Sequence, residues 1–236
     1  MNTFAGGGSL LTLPLLIFLG LPPAVANGTN RVAIVIQNIT AVLGFRSKGV
    51  SDFKLSGLLA IPALAGAYLG AKIAIDLPEE TFNRVLAVIM VVVLMLILWN
   101  PTRKLHGDGD GISTRRKVAA AVVFFLIGIY GGFIQAGVGF IFMAALVGIF
   151  GMDLVRVNAV KALIILVYTL LALYVFAVEG KVDWVLGLVL SVGNGMGGWL
   201  TGRFSVTKGE RWIRPVLIVC VLAFALKLSG LIPGWS

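Results

Sequence analysis

Long apolar runs separated by short polar connectors dominate the pattern of this chain. Nine apolar segments stand out, at residues 9–19, 24–45, 55–75, 82–99, 118–134, 138–150, 154–178, 184–202 and 212–229. Runs of about 18 or more apolar residues are typical of helices that cross a bilayer, and the strict alternation of membrane β-strands is absent. The pattern therefore predicts an all-α, polytopic membrane protein.

Composition and charge agree with this class. Of the 236 residues, 59% are hydrophobic and 12% are charged, and the mean hydropathy is +1.03, whereas a soluble domain has about 25% charged residues. A net charge of +9 would suggest nucleic acid as a partner of a soluble protein, but here Lys and Arg flank the apolar segments and indicate the lipid bilayer instead. The single cysteine, Cys220, and the single histidine, His106, give no basis for a disulfide, a metal site or a cofactor.

The chain repeats itself at one offset of 131 residues. The matched positions are Gly6/Gly137, Gly8/Gly139, Gly20/Gly151, Gly49/Gly180, Gly66/Gly197, Asn27/Asn158, Phe45/Phe176, Asp52/Asp183 and Glu79/Glu210. Such internal repeats are common in secondary transporters. We therefore divide the chain into repeat 1 (1–100), a polar cytoplasmic linker (101–116) and repeat 2 (117–236). Residues 117–136 would have their counterparts before residue 1, so repeat 1 is expected to lack its first helix, and we favour a missing start over a truncated hairpin.

The cations decide between two topologies. If residues 118–150 form one span, the halves are parallel, with ten Lys and Arg on one side and seven on the other. If 118–134 and 138–150 form a hairpin that turns at Gly131–Gly139, thirteen lie on one side and four on the other, which satisfies the positive-inside rule better. A segment of 13 residues is also short for a bilayer core of about 30 Å. The sequence therefore predicts inverted repeats, with broken or re-entrant helices at the glycine motifs.

Two cations lie inside apolar segments. Arg31 and Lys161 each come about seven residues into a predicted helix, roughly 10 Å deep at 1.5 Å per residue, and both approach the midplane if the repeats are inverted. Asn27 precedes Arg31 by four residues and Asn158 precedes Lys161 by three, so each amide shares a helix face with its cation.

These side chains predict a binding site for a small oxyanion. Thr29 and Asn30 add a hydroxyl and an amide beside Arg31, and charge-assisted hydrogen bonds to oxyanions are strong. The alternative is that Arg31 and Lys161 bond backbone carbonyls at helix breaks. We prefer the anion site because charges within a membrane are usually functional.

The glycine motifs leave two interpretations open. A helix break at Gly7 and Gly8, or at Gly137 and Gly139, would turn free N–H groups toward an anion, with Gln135 as an added donor. Alternatively, the glycines let helices touch. Close packing is the prediction for the pairs Gly66/Gly70, Gly128/Gly132, Gly193/Gly197 and Gly198/Gly202.

The acidic residues bear on mechanism through their positions. All ten fall in loops or at helix ends, so no carboxylate is left in mid-span for a proton relay. Asp52 and Asp183 are predicted to cap helices. No catalytic or metal-ligand constellation is present, so an enzyme is not predicted. A membrane scaffold or assembly subunit that transports nothing is the alternative to a transporter.

Three segments carry a family resemblance. AGGGSLLTLPLLIFLGLPPAVANGTNR, GGFIQAGVGFIFMAAL and VRVNAVKALI resemble the TauE/SafE family of sulfite exporters, also called the toluene-sulfonate uptake permease family, and the resemblance covers essentially the whole chain. It implies a transporter of the bacterial inner (cell) membrane for small sulfur-containing anions such as sulfite or sulfonates. Because a negative interior favours the exit of anions, we expect export driven by the membrane potential, and we expect a homodimer.

Overall fold

The computed structural model describes residues 9–50, 52–99 and 114–204, which form eight α-helices. They are α1 (Ser9–Phe18), α2 (Pro23–Arg46), α3 (Phe53–Asp76), α4 (Glu79–Trp99), α5 (Thr114–Phe133), α6 (Val138–Phe150), α7 (Leu154–Val178) and α8 (Trp184–Phe204). These helices coincide with the first eight apolar segments and confirm the all-α prediction for the described ranges. The ninth segment, 212–229, and most of the predicted linker lie outside them.

Short side chains and glycines set several helix boundaries. Asp52 Oδ1 accepts a hydrogen bond from the backbone N–H three residues further on at 3.2 Å, and Asp183 Oδ1 does the same at 2.9 Å. Both residues therefore cap helices, as predicted. The connections after α2 and α7 turn at Gly49 (φ 72°) and Gly180 (φ 66°), in the left-handed region that favours glycine.

Helices α3 and α5 pack with their backbones in contact. A Cβ atom on Gly66 or Gly70 of α3 would overlap the backbone of α5, and one on Gly128 or Gly132 of α5 would overlap the backbone of α3. Such close approach is a typical role of glycine between membrane helices. The packing prediction is confirmed for these two pairs. It is wrong for Gly193 in α8, where an added Cβ would have no neighbour within 4 Å.

Replacing Gly70 by alanine should destabilise the protein by about 1–3 kcal/mol, the usual cost of overpacking, because the new Cβ would overlap the carbonyl oxygen of Ile129. Thermal unfolding in detergent micelles measures the change. Gly57→Ala, in the same helix but with nothing within 4 Å of its added Cβ, is the matched control and should unfold like the wild type. Equal melting temperatures for the two variants would contradict the backbone contact.

The chain reverses direction between α5 and α6. Helix α5 ends at Phe133 and α6 begins at Val138. Phe124 of α5 and Phe142 of α6 are in edge contact, with ring centroids 5.5 Å apart, although a straight helix would place them about 27 Å apart at 1.5 Å per residue. Helices α5 and α6 therefore form a hairpin rather than one continuous span.

Helices α2 and α7 form the centre of the fold and run antiparallel. Phe45, near the end of α2, packs with Ala159 and Ala162, near the start of α7. At the other end, the Arg31 guanidinium lies over the Phe176 ring, with Cζ 4.8 Å from its centroid. The two helices thus lie side by side along most of their length, and their polar side chains are buried between the other helices.

The outer faces of the surrounding helices are apolar and exposed. Large exposed hydrophobic side chains include Leu58, Ile61, Leu69 and Ile73 of α3 and Val185, Val189, Val192 and Met196 of α8. By length and composition, α3 and α7 are each able to cross a bilayer. An apolar outer face around buried polar groups is the arrangement that a lipid environment requires.

Helix boundaries recur at the offset of the sequence repeat. Pro23 begins α2 and Leu154 begins α7, while Phe53 begins α3 and Trp184 begins α8. In both cases the two starts are 131 residues apart. The relation between the halves by a two-fold axis in the membrane plane stays a prediction.

Candidate functional site

Arg31 lies about two turns inside α2 and is completely buried, with 0% of its surface exposed. Its guanidinium bonds the last turn of α5: Nη1 donates to the carbonyl oxygen of Gly131 at 3.1 Å and Nη2 donates to that of Gly132. The last carbonyls of a helix have no partner within the helix and carry its negative dipole end. Arg31 therefore caps α5, as the alternative interpretation of this cation expected.

Gln135 holds Arg31 from the break between α5 and α6. Its Oε1 accepts from Arg31 Nη1 at 3.0 Å, and its Nε2 donates to Thr169 Oγ1 of α7 at 3.0 Å. With φ at 62°, Gln135 is the one non-glycine residue in the described ranges that has a positive φ, a strained conformation that persists only where the surroundings fix it. Its amide donor is used within the protein, so Gln135 positions Arg31 and is not the added donor predicted for an anion.

The same face of α2 carries polar atoms without hydrogen-bond partners. Asn27 Nδ2 donates to the carbonyl oxygen of Phe133 at 2.6 Å, and Asn30 Oδ1 accepts from Thr12 Oγ1 at 2.6 Å. This leaves Asn27 Oδ1, Asn30 Nδ2 and Arg31 Nε buried with no partner. Each unpaired buried group costs about 1–3 kcal/mol, so this cluster has the polar capacity to hold a small ligand.

No carboxylate balances the charge of Arg31. Its contacts are two carbonyls, the Gln135 amide and the face of Phe176. The salt bridges within the described residues are Arg84–Glu80 and Arg156–Asp52, both at helix ends. A buried cation without a counter-ion attracts an anion.

Lys161 forms a second polar centre, remote from the first. It is buried in α7, and its Nζ donates to Asn158 Oδ1 at 2.7 Å. Phe176, which contacts Arg31, lies 15 residues further along the same helix, about 22 Å at 1.5 Å per residue. The structure therefore does not bring Arg31 and Lys161 into the single cradle that the sequence suggested. They lie toward opposite ends of the α2–α7 pair.

The remaining predicted site residues divide between structural contacts and regions outside the described ranges. Thr29 Oγ1 accepts a hydrogen bond from the backbone N–H of Asp183 at 2.9 Å and so joins α2 to the start of α8. Gly137 precedes α6 with φ at 71°, and Gly139 is buried within the first turn of α6. Gly7 and Gly8 lie outside the described residues.

Sequence reasoning missed the groups that complete the Arg31 centre. The carbonyls of Gly131 and Gly132, the hydroxyls of Thr12 and Thr169, and the ring of Phe176 come from four different helices. The one available signal was the proximity of Gln135 to a glycine motif. Within the described part of the chain, no three His, Cys, Asp or Glu side chains group in a way that could hold a metal ion.

An ion pair lies at the surface near the Lys161 end of the fold. Arg156 Nη2 is 2.5 Å from Asp52 Oδ2, and it links the first turn of α7 to the cap of α3. The hydrogen bond from Arg156 holds the pKa of the Asp52 carboxyl below its ordinary value. Asp52 therefore remains ionised at neutral pH.

Comparison with known proteins assigns the chain to a family. A sequence model described as sulfite exporter TauE/SafE matches residues 1–228. The chain is similar to three proteins named as probable membrane transporters: ORF9 of a Sinorhizobium species (27% identity, 97% of this chain and 87% of the relative), YfcA of Escherichia coli K12 (28%, 97% and 84%) and YjnA of Bacillus subtilis 168 (27%, 96% and 92%). No solved structure matches the chain. Since the family model covers nearly all of the chain, the protein belongs to the TauE/SafE family of membrane transporters.

Proposed function

We propose that this protein exports small sulfur-containing oxyanions, such as sulfite or sulfonates, across the inner membrane of a bacterial cell. The observation that carries the proposal is the Arg31 centre: a fully buried cation whose contacts are neutral and whose Nε has no acceptor. An oxyanion would supply both the missing charge and the missing acceptor. The description of the family as sulfite exporters supports the chemical class of the substrate.

The unpaired atoms at this centre suit the chemistry of sulfite. Arg31 Nε and Asn30 Nδ2 are donors for two oxygens of a small anion, and Asn27 Oδ1 is an acceptor. These three residues lie at positions i, i+3 and i+4 of α2, on one helix face. An acceptor beside two donors favours an anion that also carries a proton, as hydrogen sulfite does.

The Lys161 centre is a second station for the same anion. Its ammonium group and the Asn158 amide lie on α7, and the interval between this centre and Phe176 includes the polar side chains of Tyr168 and Thr169, both fully buried. A path between the two centres along this part of α7 would keep the anion away from lipid. Inverted repeats, supported by the recurring helix starts, would give such a path two equivalent ends.

Counterflow of labelled sulfite in proteoliposomes tests the proposal, and Lys161→Met is its sharpest variant. Methionine keeps an unbranched side chain but removes the charge, so sulfite affinity should fall about tenfold to a hundredfold, equivalent to about 1.5–3 kcal/mol for a lost charge-assisted contact. Normal membrane insertion of the variant is the control. Unchanged affinity would return Lys161 to a structural role.

A scaffold that transports nothing is the alternative function. It would show no counterflow in the wild type, whereas Gly70→Ala would still disturb its helix packing. The Arg31 centre favours the transporter, because a scaffold has no need for a buried cation beside unpaired donors.

A further inference from the structure

A crevice opens at one end of the α2–α7 pair. It lies between α2, α3 and α7, encloses about 230 Å³ open to the surface, and occurs at the end of the pair nearer to Lys161. We call it the crevice port and define it by five of its lining residues: Phe45, Val50, Ser56, Ala159 and Leu163.

The equivalent place at the other end is closed. At the offset of 131 residues, the counterparts of the crevice port are Phe176, Lys181, Gly187, Gly28 and Val32, which we call the glycine port. A Cβ atom on Gly28 would overlap the carbonyl oxygen of Lys181, and one on Gly187 would lie 2.9 Å from Val32 Cβ. The same set of positions therefore surrounds a crevice at one end and is in backbone contact at the other.

Side-chain differences between the two repeats explain this asymmetry. At the glycine port, Thr29 Oγ1 holds the backbone N–H of Asp183 at 2.9 Å. Its counterpart at the crevice port is Val160, which has no hydroxyl, and there Asp52 pairs with Arg156 at the surface instead. Glycine also stands at the glycine port where Ala159 and Ser56 stand at the crevice port, so the closed end can approach more tightly.

We propose that the crevice port and the glycine port are the two alternating access points of the anion path, open and closed respectively in this structure. The inference rests on the proposed transport of a small anion. Opening the glycine port separates Gly28 from the Lys181 carbonyl, and closing the crevice port brings Ala159 toward Val50. The Arg31 centre then lies behind the closed port, and the Lys161 centre lies behind the open one.

Cysteine probes at equivalent positions test the ports. Leu163→Cys reports on the crevice port and Val32→Cys on the glycine port, each in a Cys220→Ser background, with an impermeant, anionic sulfonatoethyl methanethiosulfonate as the probe in vesicles of both orientations. Leu163→Cys should react at least tenfold faster than Val32→Cys, and from the opposite side of the membrane. Equal rates, or reaction from the same side, would overturn the proposal.

Two further substitutions should shift this ratio in opposite directions. Gly28→Ala prevents closure of the glycine port, so the ratio of the Leu163→Cys rate to the Val32→Cys rate should fall at least tenfold. Ala159→Val hinders closure of the crevice port, so the ratio should be maintained or rise. Gly57→Ala, whose Cβ would meet nothing within 4 Å, is the matched control and should leave the ratio unchanged.

The outcomes separate this inference from the proposed function. A ratio that shifts as expected without any sulfite flux supports the ports and contradicts sulfite as the substrate. Normal sulfite flux in Gly28→Ala, or a ratio that Gly28→Ala leaves unchanged, overturns the ports while transport stands. If Gly28→Ala does not reach the membrane, Ala159→Val decides, because a fall in its ratio would contradict the proposal.

Discussion

Replacing Gln135 by glutamate is expected to lower the affinity for sulfite about tenfold to a hundredfold, with little effect on folding. The two side chains have the same shape, so the strained backbone at φ 62° is unaffected. A carboxylate oxygen 3.0 Å from Arg31 Nη1 would form a buried ion pair, and the guanidinium would hold that carboxylate in its ionised form. The net positive charge that attracts the anion would then be lost, at a cost of about 1.5–3 kcal/mol in binding.

Sulfite binding to purified protein, together with thermal unfolding, measures both parts of this prediction. Gln135→Met is the matched control: it removes both hydrogen bonds of the side chain without adding a charge. We expect it to lower stability while affecting affinity less than Gln135→Glu. If Gln135→Glu bound sulfite like the wild type, Arg31 would be a helix cap alone and the anion site would have to be sought elsewhere.

Sulfite efflux should follow the membrane potential without any coupling ion. In the described ranges every acidic residue lies at or just beyond a helix end, at Asp52, Asp76, Glu79, Glu80, Asp153, Glu179 and Asp183. A carboxylate relay for protons is therefore absent from the described helix interiors. A potential of 100 mV is worth about 2.3 kcal/mol per charge, about fiftyfold in the equilibrium distribution of a monoanion, and twice that energy for a dianion.

Vesicles with a potassium potential clamped by valinomycin and no pH gradient provide the test. Efflux should rise when the interior is made negative and should fall when potassium is equal on both sides, which is the control for the ionophore itself. Flux that ignores the potential but follows an imposed proton or sodium gradient would contradict a uniport mechanism and require an ion site that we have not identified.

The helices could be predicted from the sequence because they depend on local properties. Apolar runs long enough for a helix produced eight of the predicted segments, and the short acidic side chains of Asp52 and Asp183 marked two helix starts through their own backbone contacts. The glycines at Gly66 and Gly70 predicted close packing because their spacing puts them on one helix face. Gly193 in α8 has the same kind of spacing, but the sequence could not reveal that no helix approaches it.

The sequence also marked Arg31 and Lys161, since a cation in an apolar run is costly wherever the chain folds. It could not determine their partners. Arg31 meets carbonyls about 100 residues away in the sequence, and that contact depends on the reversal of the chain after α5. Hydropathy shows that a residue is buried without showing which backbone groups lie opposite it.

What the sequence alone determined, therefore, is the set of helices, several of their caps, the buried cations and the family of the chain, because each depends on local composition or on recognisable motifs. The antiparallel register of α2 and α7 was decided only by the tertiary structure. That register places Arg31 beside Phe176 and leaves Lys161 about 22 Å away along α7, which turns one expected cradle into two separate centres. Depth along a helix can be counted in residues, but the distance between two helices' side chains depends on how the whole fold packs.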